Sequence, residues 1–384
     1  MTPPTDAVVP TDPTDPATAP SVTTLAGLTT MQVGGPPTRL VEATTTDELL
    51  AAVREASAGD DPWFVLGGGS NTVASDDPFD GTVVRVATRG VERVESDDGL
   101  VHLRVAAGEP WDDLVAYTVD QGWSGLEALS GIPGSTGASP IQNIGAYGQE
   151  VASTLVAVDF LDDDTGDFVR IPAANLGLGY RTSVFKQGRR GVVTAVEFAL
   201  TDDGGASEQV AYPQLAKALG VELGARVSVA DVRSSVLALR SAKGMVLDPD
   251  DRDTASSGSF FTNPIVSRAD ASSLPADAPR WPTGPEPERQ VVPLGEEPAA
   301  PAPRAPAEVK LSAAWLIEHA GVTKGFRLPG SRAAISSKHT LAITNRGGAS
   351  GDEVAELARY VQQRVQSEFG VLLHPEPVLL GLSL

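Results

Sequence analysis

The stretch of this sequence best suited to chemistry is residues 131–148, which read GIPGSTGASPIQNIGAYG. Its five glycines and two prolines are spaced too regularly for a generic linker, and it is too rich in small residues for a packed helix. Glycine allows positive φ and lets a ligand approach the main chain closely. Successive backbone N–H groups in such turns form concavities that bind anions. The stretch therefore predicts a site for a phosphate-bearing cofactor, and the alternative is a structural loop between two strands.

A second glycine loop, LGGGSN at residues 66–71, follows an apolar run that is typical of a buried strand. It matches neither the dinucleotide fingerprint G-x-G-x-x-G nor the nucleotide loop G-x-x-x-x-G-K-[ST], so a Rossmann fold is disfavoured. Alone, it is equally consistent with a tight turn capped by Ser70. Together, the two loops indicate that two glycine-rich turns lie in one region of mixed strands and helices.

The composition excludes several classes of site. There is no cysteine, which removes disulfides, iron–sulfur clusters and cysteine nucleophiles. The chain has four histidines, and no two of them stand at a metal-ligand spacing, so no metal site is predicted. The formal net charge of −21 argues against nucleic-acid binding, which needs a basic surface.

Phosphorylated ligands would need local positive charge against this acidic background. Several basic residues lie in or near the glycine-rich and small-residue segments: Arg181, Lys186, Arg189, Arg190, Lys243 and Lys310.

No window approaches the roughly 18 apolar residues of a membrane span. The N-terminus lacks the basic and apolar regions of a signal peptide. We therefore expect a cytoplasmic protein without membrane insertion.

The elements that must position these residues alternate irregularly along the chain. We expect a disordered tail at residues 1–24, because Thr, Pro, Ala and Asp dominate it. Strands are predicted at residues 38–41, 63–66, 83–86, 91–94, 101–105, 155–161, 168–171, 192–200 and 256–264. Helices are predicted at 111–122, 229–242, 311–320 and 351–368, and from residue 46, where Thr46 is the expected N-cap. A Pro-rich excursion at 267–309 is expected to hold little regular structure.

Seven segments, in one consistent order, resemble the UDP-N-acetylenolpyruvoylglucosamine reductase family. They are residues 29–35, 66–71, 131–148, 180–186, 258–264, 310–317 and 374–376. The resemblance implies an α+β protein with a vanillyl-alcohol-oxidase/PCMH-type FAD-binding domain of two α+β subdomains at residues 25–205. A C-terminal α+β substrate-binding domain would follow at residues 206–384.

The resemblance also implies that the two glycine loops hold the FAD pyrophosphate and pass beside the flavin ring. The residues expected to contact FAD are Leu66, Gly67, Gly68, Gly69, Ser70, Asn71, Gly131, Gly134, Ser135, Gly137, Ala138, Ile141, Gln142, Asn143, Gly145, Ala146 and Tyr147. A fold that carries FAD without a Rossmann fingerprint agrees with the absence of that motif from both loops.

The implied reaction is the NADPH-dependent reduction of UDP-N-acetylglucosamine enolpyruvate to UDP-N-acetylmuramate for peptidoglycan. It delivers a hydride to C3 and a proton to C2 of an enolpyruvyl ether, and FAD carries the hydride taken from NADPH. The resemblance assigns Ser259 as proton donor, Arg181 as the cation facing the substrate carboxylate, and Glu376 as stabiliser of the enol form or proton relay. Residue type alone favours plainer roles: a serine bonded to backbone, a surface ion pair and a solvated carboxylate.

Five further residues match positions that contact the nucleotide-sugar substrate: Tyr180, Tyr212, Lys243, Asn263 and Lys310. Part of the family carries a tyrosine on a mobile loop, and the region near 279–282 holds none, so Trp281 is the candidate to stack in its place. Two rival functions stay open: an FAD-linked oxidase of the same fold, and a catalytically silent flavin- or nucleotide-binding protein. Only small-molecule partners and a monomer are expected.

Overall fold

The structure is a computed structural model and describes residues 23–283 and 308–384. Residues 1–22 of the predicted tail and residues 284–307 of the predicted excursion lie outside the described residues. The helices are α1 (Thr46–Ser57), α2 (Trp111–Asp120), α3 (Pro213–Leu219), α4 (Val229–Ser241), α5 (Arg268–Ser272), α6 (Ala313–His319) and α7 (Gly351–Phe369). The strands are β1 (Pro37–Ala43), β2 (Trp63–Leu66), β3 (Thr72–Ala74), β4 (Phe79–Val86), β5 (Val91–Val94), β6 (Val101–Ala106), β7 (Trp123–Ser124), β8 (Gly145–Ala146), β9 (Gln149–Glu150), β10 (Leu155–Asp162), β11 (Phe168–Pro172), β12 (Gly191–Asp202), β13 (Ile265–Ser267), β14 (Arg280–Thr283), β15 (Glu308–Leu311), β16 (Ala333–Ile335), β17 (Ile343–Asn345) and β18 (Val378–Leu380).

The first layer is a parallel sheet in the order β1-β4-β2, with α1 connecting β1 to β2. α1 begins where predicted, but its N-cap is Thr45 and not Thr46. The Thr45 side chain accepts from the backbone N–H of Glu48, and the Glu48 carboxylate accepts from the backbone N–H of Thr45. This capping box satisfies donors that the first helical turn leaves without an internal partner. The first glycine loop starts where β2 ends.

The second layer is an antiparallel sheet in the order β11-β10-β12-β6-β5, with β7 paired to β12. The strands predicted at 91–94, 101–105, 155–161 and 168–171 are confirmed, and they form two hairpins, because β5 pairs with β6 and β10 with β11. Trp111 of α2 packs edge-on against Phe198 of β12. Both residues belong to a buried cluster that also contains Ala43 and Val84 of the first sheet. One apolar core therefore lies beneath both glycine loops.

The C-terminal part of the chain surrounds a second core. α6 and α7 pack with the sheet β13-β15-β14 and the hairpin β16-β17. Met31, Val33 and Val73 from the N-terminal part are buried in the same cluster. β18 then pairs in parallel with β3, so the chain returns to the strand that follows the first glycine loop. Residues 374–377, just before β18, are thereby brought beside the loops.

Two predictions of secondary structure are wrong. Residues 256–264 form no regular strand, because Gly258 has a φ of +77° and only isolated bridges at Ser256 and Phe261 join this segment to its neighbours. The excursion predicted at 267–309 is ordered at both ends, since α5 follows β13 directly and β14 pairs with β15. Backbone pairing with β15 gives these short segments a structure that their composition alone does not indicate.

The helices α3 and α4 pack against each other. They form a small cluster of their own, in which Val232 and Val236 of α4 pack with Ala128 from the N-terminal part. The predicted division into domains at residues 205 and 206 stays a prediction. In the described residues, no helix combines the length and the apolar character that crossing a bilayer requires.

Candidate active site

The two glycine loops are in direct contact with each other. A Cβ placed on Gly68 would lie 2.6 Å from the Cα of Gly134, and one on Gly67 would lie 2.5 Å from the Oγ of Ser135. A Cβ on Gly134 would lie 2.6 Å from the Oγ of Ser70. Carbon atoms in contact are normally about 3.5–4.0 Å apart. Gly68 is therefore required by the packing of one loop on the other, because its Cβ would meet backbone atoms, whereas a Cβ on Gly67 or Gly134 would meet a serine hydroxyl that can rotate away.

The contact leaves backbone donors free along the seam between the loops. The N–H groups of Gly68, Gly69, Ser70 and Ser135 donate to no acceptor among the described residues. Unpaired N–H groups on neighbouring glycine turns form an anion-binding concavity. This arrangement agrees with the pyrophosphate of FAD, the cofactor that the resemblance implies.

A continuous trough follows the two loops across the molecule. At one end it is lined by Val192 and Val193, where β12 begins, together with Ala107. Its middle section is lined by Trp111, Lys186 and both glycine loops. Its other end opens into a further cavity through shared lining residues, among them Asn71 and Gln142. An elongated cofactor could lie along this trough with one end at that cavity. We call the trough the FAD trough and the further cavity the active-site cavity.

Eleven of the residues predicted to contact FAD line the trough, and six do not. Those that line it are Gly67, Gly68, Gly69, Ser70, Asn71, Gly134, Ser135, Gly137, Ala138, Ile141 and Gln142. Gly145 lines the active-site cavity instead. The five that line neither are Leu66, Gly131, Asn143, Ala146 and Tyr147.

Asn143 illustrates why a loop residue can be structural. Its side-chain amide donates to Glu150 at 2.9 Å and to the carbonyl of Gly179 at 3.2 Å, and its oxygen accepts from the N–H of Ala152 at 2.9 Å. It also has a φ of +48°, which asparagine tolerates better than most residues. The side-chain amide of Asn143 therefore forms hydrogen bonds that stabilise the loop.

Arg181 and Glu376 meet in the active-site cavity, although they lie far apart in the sequence. The Nε of Arg181 is 3.2 Å from Oε1 of Glu376, and both side chains are largely buried. Arg181 also donates to the carbonyls of Gly145 at 2.8 Å and Asn143 at 3.4 Å. Its φ of +53° places it in a backbone region that non-glycine residues seldom occupy. Such conformations persist where the surroundings impose them, and they cluster at active sites.

Three more groups hold Glu376 in place. Gln142 donates from Nε2 to the same Oε1 at 3.0 Å. The backbone carbonyl of Glu376 accepts from Lys186 at 3.1 Å and from Asn71 at 3.3 Å. Burial raises the pKa of the Glu376 carboxyl above its ordinary value, although Arg181 and Lys186 act in the opposite direction. The carboxyl is thus fixed in position and holds a proton more readily than a solvated glutamate does.

Ser259 lines the same cavity as Arg181 and Glu376. It follows Gly258 in the irregular segment, which is anchored where the N–H of Phe260 donates to Leu341 and where the carbonyl of Phe260 accepts from the N–H of Glu376. The backbone of Glu376 is therefore bonded to the residue next to Ser259. The three residues predicted to be catalytic are brought together.

The residues predicted to bind substrate form two groups. In the first, Lys310 lies 4.7 Å from the centre of the Tyr180 ring, and the Tyr180 hydroxyl accepts from the N–H of Asn263 at 3.4 Å. In the second, Tyr212 packs edge-on against Tyr147, and Lys243 lies 5.6 Å from the centre of the same Tyr147 ring. Burial and the nearby Arg240 lower the pKa of Lys243. Each group combines an ammonium ion with aromatic rings, a combination suited to a nucleotide diphosphate.

Trp281 lies opposite Lys310 in the pairing of β14 with β15, and 47% of it is exposed. Residues directly opposite in an antiparallel pair lie on the same face of the sheet. Ile265 of β13 is the partner of Lys310 on its other side. Trp281 therefore lies on the same face of the sheet as Lys310, beside the group formed by Lys310, Tyr180 and Asn263.

Sequence reasoning missed several contributors to the site. It placed Gln142 against FAD and did not foresee its hydrogen bond to Glu376. It noted Lys186 only as a nearby cation. It did not single out Arg240 and Ser257, which line this cavity and whose Nε and Oγ are buried without a hydrogen-bond partner in the described ranges. The RTSVFK segment gives a signal for Lys186, whereas nothing local marks Ser257.

Two family models match the chain. One described as "FAD binding domain" matches residues 37–172. One described as "UDP-N-acetylenolpyruvoylglucosamine reductase, C-terminal domain" matches residues 248–380. The first range contains both glycine loops, and the second contains Ser259 and Glu376.

Similar whole proteins bear the same name. A UDP-N-acetylenolpyruvoylglucosamine reductase of Leifsonia xyli is 58% identical over 94% of this chain and 98% of its own. That of Saccharopolyspora erythraea is 51% identical over 94% of this chain and 95% of its own. The crystal structure of the Thermus caldophilus enzyme, 27% identical, matches with a TM-score of 0.59 over 93% of this chain and 97% of that one.

Proposed function

Because the chain belongs to the UDP-N-acetylenolpyruvoylglucosamine reductase family, we propose that Arg181, Ser259 and Glu376 perform that family's chemistry here. The family and the FAD-binding α+β fold inferred from the sequence are confirmed by these matches. The protein is an FAD-dependent oxidoreductase of peptidoglycan precursor synthesis. Its reaction is the NADPH-dependent reduction of UDP-N-acetylglucosamine enolpyruvate to UDP-N-acetylmuramate.

One observation carries the proposed roles: the active-site cavity joins the FAD trough and also contains the paired Arg181 and Glu376 together with Ser259. FAD, when bound, supplies the hydride that it takes from NADPH. The protein must then orient the alkene, stabilise negative charge on the substrate carboxylate and deliver one proton. These three tasks match the three side chains.

Arg181 suits the carboxylate of the substrate. A guanidinium has five N–H groups in a fixed fork. Three of them face Glu376, Gly145 and Asn143, which leaves one on each terminal nitrogen. Two N–H groups in a fork bind a carboxylate well, and they stabilise charge that grows during the reaction. The contacts of Arg181 with the protein fix the orientation of its guanidinium, so that it need not reorient when the substrate binds.

Ser259 is proposed to donate the proton that reaches C2. A serine hydroxyl is a weak acid and needs an acidic partner or a hydrogen-bond chain to restore its proton. Glu376 can fill that role, since its raised pKa increases the fraction that is protonated at any given pH. Gln142 and Arg181 both bind Oε1, so the second carboxyl oxygen remains for that proton.

We place the nucleotide part of the substrate against the two groups of lysines and aromatic rings. Lys310 with Tyr180 and Asn263 would take one side of the diphosphate, and Lys243 with Tyr212 the other. Their ammonium ions offset the strongly acidic background of the chain. Trp281, exposed beside Lys310, offers a face on which a base could stack.

The test separates the two half-reactions. The purified protein should show a flavin spectrum that NADPH bleaches under anaerobic conditions and that the enolpyruvyl substrate restores. Recovery only with oxygen would favour the oxidase, and no bleaching would favour a silent flavin-binding protein. Ser259→Ala should leave bleaching by NADPH intact and slow the substrate-driven step by about 10²- to 10⁴-fold. Equal loss of both steps would contradict the proton-donor role.

We further propose that the enzyme acts in the cytoplasm as a monomer. Both halves of the site come from one chain: the glycine loops from the N-terminal part, Ser259 and Glu376 from the C-terminal part. No second copy is needed to complete it. Light scattering coupled to size-exclusion chromatography should give the mass of one chain, and a dimer mass would refute this point.

A further inference from the structure

Lys186 is a cation in the FAD trough, and the chemistry proposed above gives it no part in the reaction. It belongs to the segment RTSVFKQGRR at residues 181–190, which holds four basic side chains. The other three form ion pairs with carboxylates of the protein. Among residues 23–283 and 308–384, no carboxylate oxygen lies within 4.0 Å of the Lys186 Nζ. In a chain with a net charge of −21, an unpaired cation that lines a cavity indicates an anionic ligand.

One hydrogen bond fixes the position of the ammonium group. The Nζ of Lys186 donates to the backbone carbonyl of Glu376 at 3.1 Å, and the Nδ2 of Asn71 donates to the same oxygen at 3.3 Å. Asn71 lines both the trough and the active-site cavity, Glu376 lines the cavity, and Lys186 lines the trough. The ammonium therefore lies where the trough meets the cavity, on the trough side of Glu376.

The ammonium group can accept a ligand at this point. Lys186 is an exposed residue although its Nζ is bonded to the protein. An ammonium has three N–H groups, and the bond to Glu376 uses one of them, which leaves two for a ligand. Burial lowers the pKa of Lys186, and the Glu376 carboxyl, which acts in the opposite direction, does not offset this. A further negative charge beside Nζ would therefore be stabilised.

The position of Lys186 favours the flavin ring over the pyrophosphate as its partner. The free N–H groups of Gly68 and Ser135 mark the place of the pyrophosphate, along the seam between the glycine loops. The ring must lie where its hydride can reach a substrate held by Arg181, which lines the active-site cavity. Lys186 lies at the junction of that cavity with the trough, at the end where the ring is needed.

Reduction changes the charge of the ring at this place. A hydride brings two electrons and one proton, so a neutral oxidised ring becomes an anion when it takes a hydride from NADPH, which leaves as NADP⁺. A nearby cation stabilises the reduced form more than the oxidised form, and charge beside the ring nitrogens is one way in which a protein tunes a flavin. We propose that Lys186 is a catalytic residue whose ammonium stabilises the negative charge of the reduced flavin. The proposal rests on the proposed function for the placement of the ring.

The test measures the two-electron reduction potential of the flavin in the FAD-loaded enzyme, without the enolpyruvyl substrate. Lys186→Gln removes the charge and keeps an N–H donor for the Glu376 carbonyl, whereas Lys186→Arg keeps the charge. Lys186→Gln should make reduction at least about tenfold less favourable, as expected for losing a hydrogen bond to a charged group. A tenfold change lowers the potential by about 30 mV. Lys186→Arg should stay within about threefold of wild type.

The matched control is Lys217→Gln. Lys217 lies on α3, is exposed, and lines neither the trough nor the active-site cavity. Its replacement changes the net charge of the chain by the same amount, and the potential should match that of wild type.

Three results would overturn the proposal. The first is a potential of Lys186→Gln equal to that of Lys217→Gln. The second is loss of flavin from Lys186→Gln on gel filtration with an unchanged potential, which would place the ammonium against the pyrophosphate, whose charge is the same in both redox states. The third is a fall in kcat with an unchanged potential, which would make Lys186 a positioning residue for Glu376. A wild-type enzyme whose bleached flavin is not restored by the substrate would refute the proposed function, and the potentials, which need no substrate, would still decide the role of Lys186.

Discussion

Replacing Gly68 by alanine tests whether the two glycine loops must touch. The new Cβ would lie 2.6 Å from the Cα of Gly134, 2.8 Å from its carbonyl carbon and 3.0 Å from the backbone nitrogen of Ser135. Carbon atoms in contact are about 3.5–4.0 Å apart, so the overlap is about 1 Å. All three opposing atoms are backbone, and no side chain can rotate away. The φ of Gly68 lies outside the left-handed region, so steric overlap is the whole effect.

The expected cost follows from that overlap. Overpacking of a tight contact lowers the free energy of unfolding by about 1–3 kcal/mol. Relief of the overlap must separate the loops, which moves the free N–H groups of Gly69 and Ser135 apart. The affinity for FAD should therefore fall together with the stability. The change should leave Arg181 and Glu376 paired, because neither is hydrogen-bonded to Gly68.

The assay compares Gly68→Ala with Gly27→Ala. A Cβ on Gly27 meets no atom within 4 Å, and its φ is also outside the left-handed region. Flavin retained per protein after gel filtration reports cofactor affinity, and urea unfolding reports stability. Gly68→Ala should lose flavin and unfold at lower urea, while Gly27→Ala should match wild type. Equal behaviour of the two variants would refute the loop-contact argument.

Two further predictions concern pH. The pKa of the Glu376 carboxyl is higher in the folded protein than in the unfolded chain. The protonated carboxyl therefore contributes fully to folding stability below the unfolded pKa, and this contribution is lost as the pH rises through the folded pKa. Glu376→Gln should therefore become more stable relative to wild type as the pH rises, and its kcat should fall at least about 100-fold. Urea unfolding midpoints measured from pH 5 to 8 test the stability, and the absence of such a gain would contradict the prediction. Burial lowers the pKa of His102, but hydrogen bonds and charge from Asp98 and Glu197 outweigh it and raise the pKa overall. Wild type should thus lose stability as pH rises above about 6.5, the ordinary histidine value, and His102→Gln should lack this loss; parallel pH profiles of the two proteins would rule out the effect.

Much of the first two layers could be predicted because its signals are local. Two apolar runs at 155–161 and 168–171, with the turn at 162–167 between them, indicate the hairpin of β10 and β11. The cap of α1 was misplaced by one residue, since Thr44, Thr45 and Thr46 are all suitable types. Only the reciprocal bond with Glu48 identifies Thr45.

The segment that carries Ser259 could not be predicted, since its shape depends on distant partners. Its apolar and small residues suit a strand, yet single bridges to Thr344 and Pro375 replace a ladder. The positive φ of Gly258 turns the chain between them. Those partners belong to β17 and to the approach to β18, which periodicity cannot relate to this segment.

The identity of the catalytic residues came from the family resemblance, and their mutual geometry needed the structure. The hydrogen bond from Gln142 to Glu376 spans 234 residues of sequence. The glycines were predicted to let a cofactor approach, and the structure adds that Gly68 and Gly134 must also approach each other. Ser257 gave no sequence signal, because a buried hydroxyl without a partner is a property of the fold.

The pairing of β18 with β3 has a consequence for synthesis on the ribosome. Asn71 and Glu376, joined by a hydrogen bond, are 305 residues apart in the chain. At about 5–20 residues per second, Glu376 is added roughly 15–60 s after the first glycine loop. Until then the nascent protein has no carboxyl to meet Arg181 and no strand to pair with β3. The reductase site is therefore completed only by the last residues to be synthesised, which supply both the Glu376 carboxyl and the strand that pairs with β3.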